Sequence, residues 1–152
     1  MARISGVHRT FTGDGVPSHL LTREAMALYM GRLAARDGLL VIHASTRYSR
    51  FFPVVDATAR SLQRSAIDVV TDISESAPAR DWGPTHTEYL IVCRPEHLKA
   101  VSAWFPEEEE NGRVKHKVTI SQSPLINSKL VWSDERNATI DVLELGKFLF
   151  EP

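Results

Sequence analysis

The first third of this sequence holds a set of side chains whose types could do chemistry together: Asp14, His19, His43, Ser45, Arg47 and Tyr48. Asp14 and His19 have the makings of an acid/base pair, since a carboxylate and an imidazole can pass a proton near neutral pH. Arg47 offers a contact for an anion, Tyr48 a stacking surface or a hydroxyl donor, and His43 and Ser45 complete a ligand-binding group. Each also has a plainer reading. Asp14 can cap its own turn, His19 can cap or pack the start of a helix, and His43 can be a satisfied histidine within a strand. His86 and His97 have no partner at metal-ligand spacing and His116 alternates with lysines, so no metal site is expected. Cys93 sits in an apolar run without a Cys-His spacing and reads as a small buried side chain rather than a nucleophile. Asp134, Glu135 and Arg136 form a polar cluster before the last strand, which reads as a surface turn.

These residues must be positioned by the stretch from Phe11 to Tyr48. Gly13, Gly15 and Pro17 force a loop around Asp14. Thr22 is placed to cap a helix with Glu24 in its first turn, and Leu21, Ala25 and Leu28 fall on one stripe with Leu33 to one side. The helix should run to Asp37-Gly38, with Gly38 closing it in a left-handed conformation. Leu39 to Ile42 is then a continuous apolar run, the pattern of a strand covered on both faces as in a parallel sheet. A loop, helix, turn, buried strand and loop make the half-unit of a parallel α/β sheet, and the six candidates would gather near the carboxyl ends of its strands, where such sheets bind ligands.

A second helix should start at Ser49 with Pro53 in its first turn and bury Phe52, Val55, Ala59 and Leu62. Strands follow at Ile67 to Ile73 and Thr87 to Cys93, separated by a long polar loop from Ser74 to His86. A short helix from Pro95 to about Trp104 puts Leu98, Val101 and Trp104 near the core. Val114, His116, Val118 and Ile120 alternate with polar residues as a half-exposed strand. Ser121 to Lys129 is loop, Thr139 to Leu145 a last strand, and Phe148 to Phe150 folds onto a partner surface. Residues 1–10 read as a tail or edge segment of one domain that takes in the rest of the chain.

Composition narrows the function classes. The chain has 152 residues, 43% of them hydrophobic and 24% charged, which is ordinary for one domain with a hydrophobic core. Lys plus Arg number 18 against 19 for Asp plus Glu, so no net field argues for nucleic acid or a membrane surface. The run Glu107 to Glu110 reads as a solvated turn. A single cysteine excludes an internal disulfide. No apolar run is long enough for a membrane span and no hydrophobic signal core precedes the domain, so the expected location is cytoplasmic.

Three separated segments carry a family likeness. GDGVPSHLLTREAMALYMGRLAARDGLLVIHASTRY resembles the second half of the spermidine synthase-like (polyamine aminopropyltransferase-like) proteins, with their "P-x-H-L-L-T-x-E" helix start. Leu40 to Tyr48 is similar to that family's "hydrophobics-H-x-S-x-R-Y" strand and loop. Trp132-Ser133-Asp134-Glu135, followed by Ile140 to Leu143, resembles its closing "W-T-D-D" segment and last strand. The resemblance covers about Phe11 to Leu145. It implies a truncated Rossmann-like (class I methyltransferase-type) three-layer α/β domain, its mixed sheet ending in an antiparallel strand. S-adenosylmethionine, its decarboxylated form and methylthioadenosine are the ligands it implies.

Two departures limit the carry-over. No G-x-G-type loop follows a strand in this sequence, and Gly13-Asp14-Gly15 is better explained as a turn. The aspartate with which the family assists deprotonation of the attacking amine aligns with Arg9, and a guanidinium cannot serve as a general base. The expectation is therefore a degenerate domain that is not an active aminopropyltransferase on its own and serves as an interaction or structural subunit. The alternative is a transferase that binds an S-adenosylmethionine-derived or polyamine ligand across a subunit interface. A sheet without its first strands exposes an edge, so a homo-oligomer or a protein partner should cover it.

Overall fold

In the computed structural model of the chain, the structure describes residues 17–33, 38–44, 49–72, 86–105, 109–110, 113–114, 116–120 and 126–136. Helix α1 (Arg23–Arg32) starts where the sequence places it, with Thr22 in extended backbone accepting a hydrogen bond from the Ala25 N–H. Leu21 of the expected stripe is buried, but Leu28 is 58% exposed and Met26 is buried in its place. The helix stops earlier than the sequence suggests. Leu33 has φ −67° and ψ 128°, which is extended backbone that cannot continue a helix. Gly38 therefore does not close α1. Its glycine identity answers to space, since a Cβ there would stand 2.6 Å from the Cβ of Leu33.

Strand β1 (Leu40–His43) follows, then α2 (Phe52–Ser61). Helix α2 opens at Phe51 rather than Ser49, with Pro53 in the first turn where a missing N–H costs nothing. Phe51, Phe52, Val54, Val55, Ala57 and Ala59 are all buried. At about 1.5–3 kcal/mol for each large apolar side chain removed from water, this helix holds the largest share of the core. It ends in a Schellman turn: the Arg64 N–H reaches the Ala59 carbonyl at 2.9 Å and the Gln63 N–H the Arg60 carbonyl at 3.0 Å. Gln63 takes the left-handed position at φ 57°, where glycine is usual, at a strain of about 1 kcal/mol.

That turn sends the chain back along β2 (Ser65–Asp72), which pairs antiparallel with β3 (His86–Cys93). A 3-10 turn at Pro95–His97 leads into α3 (Leu98–Ser102), where Val101 is buried but Trp104, expected near the core, is 47% exposed. Strand β4 (Glu109–Glu110), in the run expected as a solvated turn, forms a small antiparallel pair with β5 (Arg113–Val114). Strand β6 (His116–Ile120) then pairs antiparallel with β2. The expected strand from Thr139 and the Phe148 to Phe150 segment lie outside the described residues.

The main sheet has four strands in the order β1-β3-β2-β6, and each neighbouring pair is antiparallel. This corrects the expected parallel pairing of the Leu39 to Ile42 run. Its apolar character has another cause: Ile42 packs against the cluster under α1 and α2, while Val41 packs against the cluster under α3. Both faces are covered without a parallel neighbour. Because β1 and β2 both run against β3, they run the same way as each other, joined by α2, with β3 filling the gap between them. No helix among the described residues is long and apolar enough to cross a membrane.

Candidate functional site

The register decides which polar side chains share a face. Ala66, Asp68 and Val70 of β2 stand opposite Val92, Leu90 and Glu88 of β3, and Val92 and Leu90 stand opposite Leu40 and Ile42 of β1. Ala66, Leu90, Val92 and Leu40 belong to the cluster under α1 and α2, so Asp68 and Glu88 lie on that same covered face. Asp68 lies midway along β2, level with Leu90 of β3 and Ile42 of β1. On β6 the residues level with Asp68 and Val70 are Thr119 and Lys117.

Asp68 is the unusual member. It is 1% exposed, and neither carboxylate oxygen accepts a hydrogen bond among the described residues. The nearest countercharge is the Arg50 guanidinium, whose Nη2 is 4.0 Å from Oδ2, beyond hydrogen-bond reach. Burial pushes the Asp68 carboxyl up to about 6, with Arg50 and Lys117 pulling the other way. A carboxyl tuned to that range can hold or give up a proton close to neutral pH. Glu88 is also buried. The Asp56 and Arg60 pair on α2, 2.9 Å apart, satisfies the other buried carboxylate of this layer.

The sequence candidates fall differently. His43 closes β1, and its register partner is Tyr89, which places both rings on the face that α3 covers. Their centroids are 4.9 Å apart with the planes tilted by 34°. His19 is exposed in the 3-10 turn Ser18–Leu20 that leads into α1. The turn that carries His19 packs beside α1. Asp14, Ser45, Arg47 and Tyr48 lie outside the described residues. Cys93 is buried and its thiol is pushed up to about 11, chiefly by that burial, so it is no nucleophile at neutral pH. Among the described residues no three His, Cys, Asp or Glu side chains come together as a metal ion would require.

Sequence reasoning passed over Asp68, Glu88, Arg50 and Lys117. A signal for the first was present. Asp68 interrupts Ala66-Ile67-Val69-Val70, and a lone charge inside an otherwise apolar central strand must be either paired or functional.

A second junction ties distant segments together. The Thr22 hydroxyl donates to Asp134 Oδ1 at 2.7 Å, with the His19 carbonyl also in reach at 3.1 Å. The Asp134 N–H donates to Glu24 Oε2 at 3.1 Å, and the Arg23 N–H to the Trp132 carbonyl at 2.8 Å. The first N–H groups of α1, which have no partner within the helix, are thus met by Thr22 and by the 132–134 segment. The Asp134 cluster is a turn, closed by the Ser133 and Arg136 backbone, and it is also a clamp on α1. Thr22→Ala should lower the unfolding free energy by about 1–2 kcal/mol in urea titrations, while Thr22→Ser keeps most of it. Equal losses in both would argue that the methyl group, not the hydroxyl, matters.

No protein-family model, no curated protein and no solved structure matches the chain.

Proposed function

We propose that this chain is a degenerate spermidine synthase-like domain that acts as an interaction or structural subunit. In this reading β1, α2, β2 and β3 are the second half of a Rossmann-like, methyltransferase-type sheet. The family assignment rests on the sequence motifs. Two features of the fold support it: the same-direction strands β1 and β2 joined through α2 with an antiparallel strand inserted between them, and the contact of the HLLTRE and WSDE segments at the start of α1.

One observation carries the interaction role. Among the described residues, β1 has a strand on one side only, and its residues Leu40, Val41 and Ile42 are all apolar. An apolar edge without charge, proline or bulge is a template for a further strand. The chain should therefore sediment as a species larger than one copy at micromolar concentration, or do so once its partner is added. A stable monomer that binds no partner strand, with the β1 amides protected from hydrogen exchange, would overturn this reading.

The second reading, a transferase completed across an interface, is favoured by Asp68, a buried carboxyl tuned to about 6 midway along β2. Titration calorimetry with S-adenosylmethionine, its decarboxylated form and methylthioadenosine separates the two. Heat with any of them supports the transferase, and silence with all three at millimolar ligand removes it.

A further inference from the structure

The outer edge of β1 can be read one peptide group at a time. The Ala44 N–H donates to the Glu88 carbonyl at 2.9 Å, in the same register that sets Leu40 opposite Val92 and Ile42 opposite Leu90. Opposed residues of an antiparallel pair alternate between exchanging hydrogen bonds and exchanging none. Leu40, Ile42 and Ala44 therefore turn their peptide groups toward β3, and Leu39 and Val41 turn theirs away from it. On that outer side no strand lies among the described residues. The side chains there are apolar and incompletely covered: Val41 and Ile42 are half-buried, and Ile42 packs on the same cluster as the half-buried Tyr29, Met30 and Leu33.

We infer that this edge pairs with the same edge of a second copy, antiparallel and centred on Val41, so that two four-stranded sheets join into one of eight strands. The inference rests on the interaction reading above and names its partner. Centring on Val41 keeps the whole run from Leu39 to His43 opposed to its equivalent. Val41 of each copy then donates to and accepts from Val41 of the other, and Leu40 of one copy stands opposite Ile42 of the other on the face that α1 and α2 cover. A half-step offset, with Val41 against Ile42, fails on both counts. Those two side chains point to opposite faces, and the peptide groups of Ile42 already serve β3.

Charge decides for a second copy. Two-fold pairing brings an edge against its own equivalent, so any charge on it lies close to the same charge. Between Leu39 and Ile42 there is none, and the chain as a whole has a formal net charge of -1. The other edge of the sheet, β6, carries Lys117 and would oppose its own copy. A two-strand junction is small against the roughly 1,200–2,000 Å² of a stable interface, so the half-buried α1 side chains beside Ile42 contribute, and association belongs at micromolar concentration.

The test is made on the full chain. Sedimentation equilibrium at micromolar concentration should give twice the mass of one chain, falling to one on dilution. Val41→Lys, which sets two ammonium groups opposite each other, should abolish the dimer. Val41→Pro should do the same, because it removes an N–H that β3 does not use and proline is tolerated on an edge strand, whereas Lys117→Gln on β6 should leave the dimer intact. Amide exchange followed by NMR checks the unsubstituted chain, whether or not the variants fold. The Val41 amide should be protected in the dimer and exchange on dilution, with the Ile42 amide protected throughout. A dimer in which the Val41 amide exchanges, or a monomer in which it exchanges at every concentration, overturns the second copy as the partner; the interaction reading then stands if an added partner strand protects that amide. A monomer with the Val41 amide protected at every concentration overturns both, because the chain then covers its own edge.

Discussion

Truncating Trp132 to alanine should lower the unfolding free energy by about 3–5 kcal/mol, the largest effect expected of any single change here. The indole is 1% exposed, packs edge-on against Phe51 and belongs to the cluster that joins α1, α2 and the β1-β3-β2 surface. Removing it leaves a cavity where the 130–132 segment meets α2, and it frees the strap that satisfies the first turn of α1. Against a typical total of about 5–15 kcal/mol, such a loss brings the domain close to unfolding at ambient temperature. Urea denaturation followed by far-ultraviolet circular dichroism measures it, with Trp104→Ala as the control. Trp104 is 47% exposed, so its truncation should change stability by no more than about 0.5 kcal/mol. Trp132→Phe sharpens the test. The indole N–H makes no hydrogen bond among the described residues, so phenylalanine loses volume but relieves a buried unpaired donor. It should cost well under half of the alanine change. Equal costs would mean that the N–H has a partner and that the packing argument is incomplete.

The second large effect concerns Asp68 and has a definite sign. Its carboxyl is raised from 3.8 to about 6 in the folded chain, mainly because burial penalises the charge. Below about pH 4 the carboxyl is protonated folded and unfolded, and the full stability is present. As pH rises through 6 the unfolded chain has already released its proton while the folded chain must ionise a buried group, so stability is lost. Each pH unit between the unfolded and folded values corresponds to about 1.4 kcal/mol, so the loss between pH 4 and pH 7.5 is about 2–3 kcal/mol. Asp68→Asn should therefore be more stable than the parent at pH 7.5 by about 1–2 kcal/mol, the remainder going to the buried amide donors it introduces. At pH 4 the two should differ little. Urea midpoints at both pH values check this. A parent chain that gains stability across this window would show that Asp68 is paired more strongly than the Arg50 distance of 4.0 Å suggests.

How much of this was legible beforehand follows from the range of the forces involved. The Thr22 cap, the Pro53 start of α2 and the β2 and β3 strands could be read within one or two residues, because capping, missing donors and period-two apolar patterns act over a few positions. The end of α1 was misread because Gly38 looks like a helix terminator. What it supplies is room for Leu33, and that close approach is invisible without the fold. The burial of Met26 in place of Leu28, and the exposure of Trp104, depend on which neighbours arrive, and hydrophobicity alone does not order them. The parallel reading of β1 failed for a related reason. An apolar run reports coverage on both faces, and here two separate clusters supply it to a strand with an antiparallel neighbour.

The candidate site separates in the same way. The types of side chain in the Asp14 to Tyr48 stretch were readable, but types do not give distances, and of the six candidates only His19 and His43 fall among the described residues. Asp134, read as an exposed turn, became half of a clamp because its partner Thr22 lies far away in the chain. By itself the sequence determined the local elements and the absence of a G-x-G-type loop after a predicted strand. Those properties reside in single residues and short spacings. Only the tertiary structure decided the order β1-β3-β2-β6, the burial of Asp68 without a close hydrogen bond, and the edge-on packing of Phe51 on Trp132. Strand register and desolvation are set by contacts between residues far apart in the chain, and those contacts exist only once the core has closed.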